Sequence, residues 1–124
     1  MKNITLSFLF ILPLFLYSQS DQGLNFKSTD HDFGKISSGS KALAKFSFTN
    51  ESNKNVEILK IHGENHCLEI DSLNLKSYAP KESGSIIVSY NTDCIGPIRK
   101  TLSVFTSSKR NTITLKLLGE VLEK

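Results

Sequence analysis

The sequence predicts an all-β chain, an antiparallel β-sandwich or barrel of about seven short strands. Three observations carry that reading. Apolar residues recur with period two after residue 23, turn-forming residues interrupt them about every ten residues, and helix signals are absent. Successive side chains of a strand point to opposite faces, so each alternating run is a half-buried strand.

The first strand is expected at residues 24–28, with Phe26 available to the core. In the second, 42–49, Ala42, Ala44, Phe46 and Phe48 share a face opposite Leu43, Lys45, Ser47 and Thr49. The third, 56–62, breaks phase: Val56 and Ile58 have one parity, Leu59 and Ile61 the other. A bulge near Ile58–Leu59, or a strand covered on both faces, would explain the break. The fourth is expected at 67–73. In the fifth, 85–91, Ile86, Val88 and Tyr90 alternate with Ser85, Ile87 and Ser89. Leu102 and Val104 set the face of the sixth, 98–106, and Ile113, Leu115 and Leu117 that of the seventh, 112–121. Turn residues separate the runs at 37–40, 50–55, 80–84, 93–97 and 107–111. No repeat or linker divides residues 21–124, which form one domain.

Residues 1–20 read as a secretory signal peptide. Lys2 supplies the positive n-region, an apolar run extends from Leu6 to Tyr17, and Ser18 and Ser20 provide the small residues of a cleavage site after Ser20. Crossing a bilayer takes about 20 apolar residues, and this run has about a dozen. With no cysteine nearby to carry a lipid, no stable membrane anchor is expected, and the product is periplasmic or extracellular. Fifteen Lys+Arg against twelve Asp+Glu give a formal charge of +3, too mild for a nucleic-acid footprint. The basic pairs Arg99-Lys100 and Lys109-Arg110 lack interleaved aromatic residues. No phosphate-binding loop or dinucleotide fingerprint occurs.

Several short motifs stand in a fixed order: His31-Asp32-Phe33-Gly34-Lys35-Ile36, then Phe46-x-Phe48-Thr49-Asn50, Pro80 with Gly84, Gly96 with Lys100-Thr101-Leu102-Ser103-Val104, and Gly119 with Val121. In this order the chain resembles the DUF1573 family of exported bacterial domains over about residues 24–122. The resemblance implies an immunoglobulin-like sandwich akin to ASH and MSP domains, and no established reaction. The family usually carries a Cys-Gly-Cys triplet after its third strand, where this chain has Asn65-His66-Cys67. A role for paired thiols in relatives is therefore not carried over.

Cys67 and Cys94 are the only cysteines. In a seven-strand sandwich of this type the end of the third strand and the loop after the fifth lie at one end of the domain, so a Cys67–Cys94 disulfide is expected in an oxidising compartment. The competing reading is two free thiols. His31, His62, His66 and Cys67 are of types that bind zinc or copper, but their spacing matches no metal motif, and no metal or other cofactor is assigned. His31, Asp32, Phe33 and Gly34 read as a structural motif, a bent lead-in to the sandwich. There Phe33 plugs the core, Gly34 takes positive φ and Asp32 bonds backbone amides. A His–Asp pair orienting a base would also need a positioned nucleophile, and no nucleophile elbow is present. Glu64, Glu69 and Asp71 read as solubilising.

These readings point to an exported, non-enzymatic β-sandwich acting as a structural or protein-binding module at the bacterial cell envelope, with another envelope protein as partner. Binding would use the loops of one end or a sheet edge. The alternative is a thiol-redox or metal-handling envelope protein using Cys67, Cys94 and nearby histidines. All seven strands are encoded through Val121, which counts against a subunit awaiting a donated strand.

Overall fold

A computed structural model describes residues 23–108 and 112–124. The proposed signal peptide, and Lys109-Arg110, lie outside the described residues. The strands are β1 (Leu24–Phe26), β2 (Asp30–Ser37), β3 (Ala42–Asn50), β4 (Val56–His62), β5 (Leu68–Ile70), β6 (Ser77–Tyr78), β7 (Ser83–Tyr90), β8 (Gly96–Thr106) and β9 (Thr112–Leu122). They form two sheets, β1-β3-β7-β5 and β2-β9-β8-β4-β6.

The alternation in the sequence is the packing plan of the sandwich. Ala44, Phe46 and Phe48 of β3, with Ile86 and Val88 of β7, are buried on the inner face of the four-stranded sheet. Ile98, Leu102 and Val104 of β8 and Leu115, Leu117 and Val121 of β9 are buried on the other. Removing a large side chain from such a core costs about 3–5 kcal/mol, because the lost transfer energy is joined by a cavity. Rings lock one end of the core, with Phe48 edge-on to Tyr78 at 4.9 Å and 86°. The phase break in β4 is a bulge: its register with β8 shifts between Ile58 and Lys60, which turns Leu59 outward to 53% exposure.

The structure corrects the expected strand list. Among the described residues there are nine strands, because β2 and β6 were not foreseen. β2 pairs with β9 in parallel, so the sandwich is not wholly antiparallel. Its alternation was hidden by a second bulge, between Asp32 and Lys35. β6 has two residues, too few to show a period. The strand expected at 67–73 stops at Ile70. Asp71 then starts a 3-10 turn over Ser72–Asn74, its carboxylate accepting from the Leu73 amide at 3.0 Å.

Candidate functional site

Three loops meet where β3 begins and β5 follows β4. Cys67 and Cys94 are joined there by a disulfide whose Cα atoms are 6.1 Å apart. The geometry is built from short polar side chains. Asn65 Oδ1 accepts from the Cys67 amide at 2.7 Å, and Asn65 and Leu68 exchange backbone bonds of 3.2 and 3.1 Å. On the facing loop, the Asn91 amide donates to the Cys67 carbonyl at 2.7 Å, and the Asn91 carbonyl accepts from the Cys94 amide at 3.0 Å. The third loop is tied in by buried Thr92. Its hydroxyl donates to the Ser40 carbonyl at 2.7 Å and accepts from the Gly39 amide at 3.0 Å. A covalent bond and a set of hydrogen bonds thus tie the three loops together.

Beside the bridge lies an open cleft of about 660 Å³ lined by Glu64, Asn65, His66, Cys67, Leu68, Glu69, Ser89 and Asn91. A hollow of about 390 Å³ continues it along β5 and β7, sharing Glu69 and Ser89 and adding Asp71. Neither lining includes a lysine or arginine, so the surface is acidic on a chain of net positive charge. Glu64, read from sequence as solubilising, also has a structural task. Its Oε2 accepts from the Ile70 amide at 3.1 Å and so closes part of the outer edge of β5.

Of the histidines named from sequence, His66 approaches the cysteines. One donor atom from each of His66, Cys67 and Cys94 lies within 4.8 Å of the others. His31 and His62 belong to other surroundings. The His31 ring packs edge-on against Phe33 at 4.6 Å and lies 6.4 Å from Phe46, and His62 is exposed at the end of β4. The His31-Asp32-Phe33-Gly34 segment lies in a bulged edge strand. Asp32 Oδ1 accepts from the Gly34 amide at 2.8 Å, Gly34 has φ +69°, and Phe33 packs against the core. The sequence reading ends the fifth strand at Asn91 and starts the next turn at Asp93, so Thr92 has no role there, since nothing local marks a threonine that will be buried.

A family profile matches residues 24–121, described as a protein of unknown function, DUF1573. The chain belongs to the DUF1573 family. No curated protein matches it. Among solved structures, the DUF1573 chain is similar to a protein of unknown function from Porphyromonas gingivalis W83, at 14% identity and a TM-score of 0.68. That match covers 79% of this chain and 46% of the other, so the chain spans about half the length of that relative. It is similar over 96% of its length to the ASH/PapD-like domain 7 of human CEP192, covering 98% of that domain at 9% identity and a TM-score of 0.71. The Caenorhabditis elegans MSP-domain protein SSP-19 matches at 12% identity and a TM-score of 0.55, over 70% of this chain and 94% of its own. The secreted serine protease VesC of Vibrio cholerae matches at 17% identity and a TM-score of 0.59, over 82% of this chain and 24% of its own. At these identities the likeness establishes the fold, which ASH, MSP and protease-associated chains share, and no activity travels with it.

Proposed function

We propose that this DUF1573 chain is an exported, non-enzymatic module that docks another cell-envelope protein with the loop cluster around the Cys67–Cys94 bridge. The observation that carries the reading is the contrast between that end and the sheet edges. β5 has its Leu68 amide and carbonyl bonded to Asn65 and its Ile70 amide bonded to Glu64. β6 is two residues long, and its Tyr78 carbonyl accepts from Asn50 at 2.9 Å. β2 is bulged and carries Asp30, Asp32 and Lys35, while β1 has three residues. Closed, charged or short edges discourage strand addition, which leaves the cross-tied concave end as the better docking surface. Preorganised loops lower the ordering cost of binding. For the non-enzymatic reading, the motif that could have oriented a base is occupied structurally: Asp32 serves the Gly34 amide, and His31 lies against aromatic rings.

The test places a photo-crosslinking residue at His66 or Asn91 and, as control, at exposed Asn53 at the opposite end, in cells producing the full chain. Cleavage after Ser20 is checked by N-terminal sequencing of the exported product. A discrete crosslinked protein from positions 66 and 91 but not 53 is expected. Crosslinks from 53 alone, or from no position, would overturn the reading.

A further inference from the structure

We propose that the Cys67–Cys94 bridge is the oxidised, closed state of a three-donor site for a thiophilic d10 cation, Cu(I) or Zn(II), with His66 as the third ligand. The inference goes beyond the docking surface and does not depend on it. It begins with convergence: the imidazole and both sulfurs already lie within 4.8 Å of one another, although they come from two separate loops. Two thiolates and an imidazole are a donor set that soft and borderline cations prefer over oxygen ligands.

Access and charge agree. His66 is exposed, Cys94 is half-buried, and the cleft of about 660 Å³ opens beside them with Glu64 and Glu69 on its walls and no lysine or arginine in its lining. Two bonds of about 2.3 Å at a tetrahedral angle separate the sulfurs by about 3.8 Å. With Cα atoms 6.1 Å apart, side-chain rotation alone meets that spacing. The open side of the cleft leaves room for a water or partner ligand to complete a four-coordinate zinc site.

Oxidation state decides occupancy, because a disulfide has no thiolate to offer. Opening needs an external dithiol. One of its thiolates attacks the Sγ of Cys94, the less buried of the two residues. The S–S bond breaks, and its electron pair leaves on Cys67 Sγ. The second external thiolate then attacks its own partner in the mixed disulfide and releases Cys94 as a thiolate. The external dithiol is oxidised to a disulfide, the protein bridge is reduced by two electrons, and cation binding releases the two thiol protons.

The experiment uses the full chain, reduced and freed of reductant without air. Co(II) is titrated as a spectroscopic stand-in, followed by Zn(II), and in a separate arm by Cu(I) under a competing chelator. One ion per reduced chain is expected, with a thiolate-to-cobalt charge-transfer band that Zn(II) abolishes, and no uptake by the oxidised chain. His66→Ala should weaken binding at least tenfold and leave the oxidised fold unchanged by circular dichroism. Uptake of either Zn(II) or Cu(I) supports the site and names its ion. Absence of the band and of both ions, equal binding by the oxidised chain, or unaltered affinity in His66→Ala would overturn it. If reduction unfolds the chain, Zn(II) or Cu(I) should restore the β spectrum, and failure of both to do so counts against the site in the same way.

Discussion

Removing the disulfide tests how far the loop cluster depends on a covalent tie. Cys67 and Cys94 are 27 residues apart. In the chain-entropy account, opening a loop of that length gives the unfolded state about 3.6 kcal/mol of extra freedom. For a domain near 100 residues each kcal/mol moves the melting temperature by about 4–8 °C, so Cys67→Ala/Cys94→Ala should melt about 15–30 °C lower. Alanine is the better replacement, since Cys67 is only 7% exposed and a serine hydroxyl would be buried beside it. Calorimetry of the double variant, with reduced wild-type protein as a second sample, reads the effect. Both should melt together in the absence of metal ions. A loss below about 5 °C would refute the reasoning. It would mean that the hydrogen bonds of Asn65, Asn91 and Thr92 order these loops without the bridge.

Three further outcomes follow from single side chains. Fully buried Asn50 donates to the Lys54 and Tyr78 carbonyls at 2.8 and 2.9 Å and accepts from the Ser52 amide and hydroxyl at 2.9 and 2.8 Å. Asn50→Ala orphans several of these groups and should cost about 3 kcal/mol or more by urea denaturation, and a cost under 1 would deny it this tying role. Gly119 has φ +148°, and an added Cβ would lie 3.0 Å from both the Gly34 carbonyl oxygen and Phe33 Cβ. Gly119→Ala should therefore cost about 2–4 kcal/mol, whereas Gly39→Ala, at φ +90° where an added Cβ would meet only the Lys124 amine at an ordinary 3.9 Å, should show only the backbone strain of about 1 kcal/mol in the same assay. Burial, with the charge of Glu82 adding to it, raises the Tyr78 hydroxyl above its ordinary value of 10.0. The folded phenol then holds its proton longer than the unfolded one, so this stabilisation is complete below pH 10 and is lost as pH rises through the folded value. Tyr78→Phe should cost about 1 kcal/mol at pH 7 through its lost bond to the Asn74 carbonyl, yet lose stability less steeply above pH 10, and parallel urea-midpoint curves would count against this account.

The legible parts of the fold were those where one residue in two faces a hydrophobic core. β3, β7, β8 and β9 pair over long antiparallel or mixed ladders and bury alternate residues throughout, so period two survives in the sequence. β2 was not legible for a physical reason. It is an edge strand, its outer positions are Asp30, Asp32 and Lys35, and its bulge resets the parity between Phe33 and Ile36. β6 was missed and β5 was expected to run too far, because each needs only a few backbone bonds to a neighbour, which no side-chain pattern records. At the site, Cys67 and Cys94 could be brought together from topology because the ends of strands are countable. The approach of His66, the burial of Thr92 and the Glu64 bond to Ile70 depend on loop conformations set by partners far away in sequence.

A two-sheet sandwich has four edges and two ends, and this chain treats them differently. Its edges are shortened, bulged or occupied by its own side chains, each device keeping backbone donors from other chains. One end is sealed by Asn50, whose four side-chain hydrogen bonds join the loop after β3 to β6, where Phe48 and Tyr78 pair their rings. The other end has no comparable plug. Its loops curve around an open cleft and rely on the disulfide, Asn65, Asn91 and Thr92 for their shape. The folded-state contacts are unevenly distributed as a result: β8 and β9 are held by a long paired ladder of their own, whereas the loops of the cleft are joined by the bridge itself. Reduction therefore loosens the cleft before it threatens the core, and any activity housed there is coupled to the redox state of one bond.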